Sequence, residues 1–302
     1  LPPRNGVDAT RVVLRPDLWP GRTPTVAEAL LATPTLAGLS LDELRAQATA
    51  GEVVDLDGAP VDLAGPVLRA TPIYLYRGLP AEFDVPFDLP ILHQDRSLLV
   101  VDKPHFLATM PRGQHVTQTA LVRLRRLLGE DHLAPAHRLD RLTAGVLLFT
   151  RKPTERAAYQ SLFADRLVHK EYRALAAASR PELAEGVRIE NRIEKTSGDL
   201  RARVVDGPVN AISEITLLRV RDDGLGEYRL LPHTGRTHQL RLHMAGLGVP
   251  ILGDPLYPDV DPELASAPER GDFSRPLHLI ASSLRFVDPI TGAQRHFTSD
   301  RR

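Results

Sequence analysis

Residues 134–150 read APAHRLDRLTAGVLLFT, a stretch that sets one carboxylate, Asp140, between Arg138 and Arg141 and directly before a run of small and apolar residues. The run AGVLLFT has the length and apolar character of a buried strand, so Asp140 ends the loop that feeds it. Arg138 precedes Asp140 by two positions, and in an extended loop both side chains point the same way. Two readings stay open on these residues alone. Asp140 is a surface ion-pair or turn residue, or it is a nucleophilic or basic carboxylate kept ionised by a nearby guanidinium.

Outward from this stretch, SLLVVDKP (97–104) is a buried strand stopped by Pro104, and Thr117 precedes a helix, QTALVRLRRLLG (118–129), closed by Gly129. Arg123, Arg125 and Arg126 on that helix read as a solvated face, with phosphate contacts as the alternative. TERAAYQSLFAD (154–165) is a second helix and KEYRALAA (170–177) another strand. SEITLLRVRDDGLGEYRLLP (213–232) forms a hairpin about Asp223 and Gly224, and TGRTHQLRLHMAGLG (234–248) has a helical period with a glycine stop. Strands and helices mixed without regular βαβ alternation predict an α+β fold on a mixed or antiparallel sheet.

The preceding part has another character. Residues 1–22 are rich in proline and arginine and aperiodic, which predicts an extended arm. Residues 23–80 hold two helix patterns, the second with Ser40 before LDELRAQATA and Gly51 after it, and then short strands with a turn at Asp57 and Gly58. AEFDVPFDLP (81–90), with two prolines, predicts a linker to a domain spanning 91–302. The order of elements in 23–80 resembles an S4-type RNA-binding module, from which its acidity departs.

The chain has 38 basic and 38 acidic residues and no net charge. The average conceals a partition: residues 1–90 carry 7 basic against 12 acidic residues, whereas 112–173, around Asp140, carry 12 against 6. A polyanionic substrate is therefore plausible for the second part. The absence of cysteine excludes disulfide and thiol chemistry and fits a cytoplasmic protein. No apolar run reaches the roughly 20 residues of a membrane helix, and no signal peptide is evident. His233, His238 and His243 lie five apart, the wrong interval for one helix face, so no metal site is expected. Neither a G-x-S-x-G elbow nor a glycine-rich phosphate loop occurs, which removes the usual warrant for a serine hydrolase or a nucleotide cofactor.

HRLDRLTAGVLLF (137–149) resembles the H-R-L-D-x-x-T-S-G-L-L-L-F signature of RluA-type pseudouridine synthases, with Ala144 in place of the usual serine. LLVVDKPHFL (98–107), HKEYRAL (169–175), LLPHTGRTHQLRLHMAGLGVPILGDPLY (230–257) and LHLIASSLRFVDPITG (277–292) fall in the family's order. The resemblance spans roughly residues 91–297. It implies a cofactor-free isomerisation of a uridine in tRNA or 23S rRNA, in which the bond from ribose C1′ to N1 of uracil breaks and the base re-attaches through C5.

By the same resemblance Asp140 is the catalytic nucleophile, Arg236 the arginine that pairs with it, and Tyr172 the aromatic ring that stacks on the target base. Arg138 fills the space left by the flipped uridine, His137 belongs to the substrate-binding motif, and Leu242 is pocket wall or core. RNA is the implied partner, with no DNA or membrane, and a monomer is expected. Two other functions compete: a non-catalytic RNA-binding or ribosome-assembly protein on the same fold, and a nucleoside hydrolase, which would need a second carboxylate at the scissile bond.

Overall fold

A computed structural model describes every residue of the chain except Ala37, Arg77, Leu79, Pro80 and Arg302. It divides into two compact units, Leu1–Pro80 and Ala81–Arg302. No helix among the described residues is long and apolar enough to cross a membrane.

The first unit contains β1 (Thr10–Leu14), α1 (Val26–Leu31), α2 (Leu41–Thr49), β2 (Val53–Val54) and β3 (Thr71–Leu75). Thr25 and Ser40 start the two helices through capping boxes with Glu28 and Glu43, which satisfy backbone donors that each helix would otherwise leave unpaired. The expected arm is corrected here. β1 pairs antiparallel with β3, and Val12 and Leu14 are buried with Leu30, Leu44 and Ile73 in the core of this unit. Five residues gave too short a pattern to register among the prolines and charges around them.

The second unit runs β4 (Ile91–Gln94), β5 (Leu98–Lys103), α3 (Ala120–Leu128), β6 (Ala134–Pro135), β7 (Ala144–Thr150), α4 (Arg156–Ala164), β8 (His169–Ala177), β9 (Val187–Glu194) and β10 (Arg203–Val205). It continues through β11 (Ala211–Val220), β12 (Leu225–Pro232), α5 (Gln239–Gly246), α6 (Pro262–Ser266), β13 (Leu279–Val287) and β14 (Gln294–Thr298). These strands form one sheet in the order β10-β9-β11-β12-β8-β13-β7-β5-β4, with β14 added to β13 and β6 to β7. β7 and β13 run parallel while the other described pairs are antiparallel, so the α+β expectation holds with a mixed sheet.

The parallel pair depends on a glycine. Gly145 has φ +111°, and a Cβ there would lie 2.3 Å from the Ala281 carbonyl oxygen. Only a residue without a side chain lets β13 approach this closely. Ala281 is in register with Gly145 on one side and Tyr172 on the other, so β13 fixes the spacing between the strands that follow Asp140 and carry Tyr172.

Residues 81–90 are not a free linker. The Glu82 carboxylate accepts from the backbone N–H groups of Val116, Thr117 and Gln118 and from the Thr117 hydroxyl, and Val85 is buried with Leu99 and Leu121. The prolines that suggested a spacer shape an extended segment that packs. Thr117 is thus occupied by Glu82, and the cap of α3 is Thr119, whose hydroxyl accepts from Val122 N–H at 3.2 Å.

Candidate active site

Asp140 lies in the short loop before β7, where Thr143 N–H donates to its backbone carbonyl at 3.0 Å. Lys103, Pro104 and the residues after them hold this loop from behind. Lys103 is fully buried, and its Nζ donates to the carbonyls of Pro104 at 2.9 Å, Leu107 at 2.7 Å and Arg141 at 3.3 Å. His105 Nδ1 is 2.8 Å from the Leu142 carbonyl oxygen. The Thr109 hydroxyl donates to the Leu139 carbonyl at 2.8 Å and accepts from Leu139 N–H at 3.1 Å. Backbone groups of Leu139, Arg141 and Leu142, on both sides of Asp140, are therefore fastened to residues 103–109. Burial pushes the Lys103 ammonium down to about 7, and the negative charge of Asp140 opposes that shift.

In front of the loop is a cleft of about 510 Å³, lined by Asp140, Tyr172, Arg138, His137 and Arg236 among others. Five of the six residues singled out in the sequence thus meet in one place. Leu242 does not. It is half-buried against Ile193, Ala202 and Ala211, away from the cleft lining, and Leu240, two positions earlier on α5, faces the cleft instead. The helix also starts later than its period suggested. Residues 234–238 form a loop, and only Gln239–Gly246 are helical.

That loop is built around Gln239. Its Oε1 accepts from the Thr234 hydroxyl at 2.7 Å and from Arg236 N–H at 3.0 Å, while its Nε2 donates to the Ile212 carbonyl and the Ser213 hydroxyl. His238 Nδ1 lies 2.9 Å from the Tyr257 hydroxyl, and Arg241 forms a buried two-point ion pair with Asp254 at 2.8 and 2.5 Å. The expected pairing of Arg236 with Asp140 is not formed. Arg236 Nε donates to the Asn210 carbonyl at 3.2 Å, and among the described residues no ion pair engages the Asp140 carboxylate. The Arg236 side chain is exposed.

His137 is occupied structurally. Its ring stacks on Phe163 at 4.3 Å and its Nε2 accepts from Leu148 N–H at 3.2 Å, so Nδ1 carries the proton. Burial, and then the charge of Lys170, push it down to about 3. Tyr172 packs between the two largest cores of this unit. Burial and the nearby Asp140 raise its phenol, which stays neutral at ordinary pH. The three histidines spaced five apart diverge, His233 toward Glu214, His238 toward Tyr257 and His243 toward Asn191.

The charge of the cleft is one-sided. Asp140 is its only carboxylate among the described lining residues, against Arg138, Arg166, Lys170, Arg236 and the neutralised Arg241. Arg123 and Arg125 are committed elsewhere: Arg123 donates to the carbonyls of Val85 and Phe87, and Arg125 Nε to that of Leu133. Backbone strain is also concentrated here. Of the four described non-glycine residues with positive φ, three (Phe106, Arg166 and His238) lie in the segment behind Asp140 or in the cleft wall.

Comparison with known proteins points to one family. A family model described as RNA pseudouridylate synthase matches residues 97–246. The chain is 32% identical over 234 residues to the dual-specificity RNA pseudouridine synthase RluA of Haemophilus influenzae, covering 72% of this chain and 96% of that protein. It is 34% identical to tRNA pseudouridine synthase C of Pasteurella multocida, covering 68% of this chain and 88% of the relative. Among solved structures, human RNA pseudouridylate synthase domain containing 4 aligns with a TM-score of 0.52 at 26% identity, over 70% of this chain and 88% of that one.

Proposed function

The chain belongs to the RluA-type family of RNA pseudouridine synthases, and from that premise we propose that it isomerises uridines of tRNA, 23S rRNA or both in the cleft that Asp140 faces. The observation that carries this reading is the meeting of one carboxylate, one half-buried tyrosine and a set of cations in a single cleft. Asp140 supplies the nucleophile or base, with the loop around it held rigid by residues 103–109. Tyr172 offers a neutral aromatic face to the uracil. Arg236 turns from the Asn210 carbonyl to the Asp140 carboxylate when RNA enters, a charge-assisted contact that aims the carboxylate. Arg138, exposed at the cleft, takes the position vacated by the flipped nucleotide.

Isomerisation conserves the atoms of the nucleotide. The C1′–N1 bond breaks, a C1′–C5 bond forms, C5 loses its proton and N1 gains one. A two-carboxylate hydrolase would release free uracil, and the lining of this cleft includes a single carboxylate. The reading has the protein act as a monomer in the cytoplasm with RNA, not DNA, as its partner.

The test is site-resolved pseudouridine mapping of total RNA from cells with and without the gene, complemented with wild type or Asp140→Asn. Pseudouridines lost on deletion should return with wild type only. Release of free uracil, or rescue by Asp140→Asn, would overturn the assignment.

A further inference from the structure

Arg166, in the turn between α4 and β8, and Lys170, the second residue of β8, are two cations to which the catalytic reading gives no individual role. α4 ends in a Schellman arrangement: Leu167 N–H donates to the Leu162 carbonyl at 2.8 Å and Arg166 N–H to that of Phe163 at 3.4 Å. The residue that closes such a turn is left-handed and usually glycine, because a side chain there is strained. Here it is Arg166, at φ +61°. Its guanidinium is exposed and lines the cleft that Asp140 faces.

Four residues later Lys170 lines the same cleft. Its Nζ donates to the Thr234 carbonyl at 3.2 Å, leaving two of its three donors for another acceptor. Burial lowers its affinity for a proton, and the charge of Arg166 lowers it further. Two cations are thus held near each other, one at a strained backbone position and the other half-buried, and among the described residues neither has a carboxylate partner. The larger hollow of about 850 Å³ elsewhere in this unit, lined by Arg173, Arg219, Arg221 and Arg301, makes the contrast. Its arginines are answered by Glu171, Glu227, Asp223 and Asp102. Unanswered like charges are costly unless an anion completes them.

We propose that Arg166 and Lys170 form a seat for one backbone phosphate of the substrate RNA, next to the nucleotide that enters the cleft. The seat rests on the reading of this cleft as an RNA site. It positions the strand without reading its sequence, since phosphate contacts fix register and base contacts specify. The left-handed position lets an arginine stand clear of the helix end and reach over the cleft.

The seat is tested by binding of a fluorescein-labelled RNA stem–loop with unpaired uridines to the full chain, on an Asp140→Asn background so that no turnover intervenes. Arg166→Gly and Lys170→Gln are made singly and together. The double variant should bind about tenfold more weakly at 0.1 M salt, and the slope of log K against log salt should shrink by about 0.7 for one lost phosphate contact on a single strand. Arg166→Gly alone should leave the melting temperature unchanged or raise it. If Arg166 served only to complement the end of α4, that variant would melt lower. Unchanged affinity and salt slope in the double variant, or a fall in affinity matched by a fall in melting temperature, would overturn the seat. Pseudouridine formation by the wild type is measured in parallel. If it is absent while the salt slope still shrinks, the catalytic reading fails and the seat stands.

Discussion

The ammonium of Lys103 donates to the carbonyl oxygen of Arg141 at 3.3 Å, so a fully buried cation grips the residue that follows Asp140. Two further carbonyls, of Pro104 and Leu107, complete its coordination. Lys103→Met keeps the length of the side chain and removes all three donors, and a buried polar group left unsatisfied costs about 1–3 kcal/mol. The loop should loosen, with kcat for pseudouridine formation falling at least about tenfold, or ~1.4 kcal/mol, and RNA affinity within about threefold of wild type. Steady-state kinetics with a folded variant decides the matter. Unchanged kcat would mean that Thr109 and His105 hold the loop without Lys103.

Gly145 is required by the close approach of β13. With a Cβ 2.3 Å from the Ala281 carbonyl oxygen, Gly145→Ala must push β7 and β13 apart or distort both, and a loss of about 3 kcal/mol is expected. Gly129→Ala is the control: φ is +66° at the end of α3 and nothing lies within 4 Å, so only backbone strain of about 1 kcal/mol applies. Urea unfolding of the two variants should separate these costs. Equal losses would show that the strand spacing adapts.

His137 gives a pH dependence of definite sign. Its folded value is pushed from 6.5 down to about 3. Between those values the unfolded chain binds a proton that the folded chain does not, so the contribution of His137 to stability is complete above about pH 6.5 and is lost as the pH falls toward 3. The ring carbon and nitrogen shifts of His137 should not titrate between pH 8 and pH 5, and its Nδ1–H form should persist. A titration centred near 6.5 would contradict the burial and the Leu148 bond.

Much of the site was legible because chemistry concentrates in types that stand out. Asp140 interrupts an arginine-rich loop before an apolar run, and Tyr172 and Arg236 sit in recognisable stretches. Long alternations foretold the hairpin of β11 and β12, since a period of two survives in any tertiary context. Lys103 was less visible. A lysine at the end of the buried run LLVVDK has donors that must find acceptors, yet those acceptors are carbonyls, which no sequence distinguishes. Gln239 was no more visible, since two of its four partners are backbone groups and the other two are hydroxyls brought in from β11 and the loop. Of the two alternatives for Leu242, pocket wall or core, the structure shows the second, since it packs against Ile193, Ala202 and Ala211.

Arg123 was expected on a solvated or RNA-facing surface and instead tethers a neighbouring segment. Its guanidinium donates to the carbonyls of Val85 and Phe87 and to Gln118 Oε1. Arg123→Ala should therefore expose residues 81–90 to limited proteolysis and lower the melting temperature, while the salt slope of RNA binding stays as in wild type. A slope reduced by about 0.7 or more with unchanged protease resistance would return α3 to the RNA interface.

The first unit tests how far RNA binding depends on charge. Residues 1–90 are net acidic, and the residues of this part that follow Pro80 pack on the second unit. Val12, Leu14, Leu30, Leu44 and Ile73 give Leu1–Pro80 a core of its own. The second unit retains Asp140, Tyr172, Arg166, Lys170 and Arg236 when the chain is cut after Pro80. An acidic module repels a phosphate backbone unless its few arginines are gathered on one face, and binding energy for RNA comes largely from neutralised phosphates. Removal of residues 1–80 should thus weaken RNA binding by less than about tenfold, or ~1.4 kcal/mol, and leave the set of modified uridines unchanged. The measurement is equilibrium binding at physiological salt, paired with pseudouridine mapping. A loss of a hundredfold or more would assign the first unit a clamp-like role despite its charge.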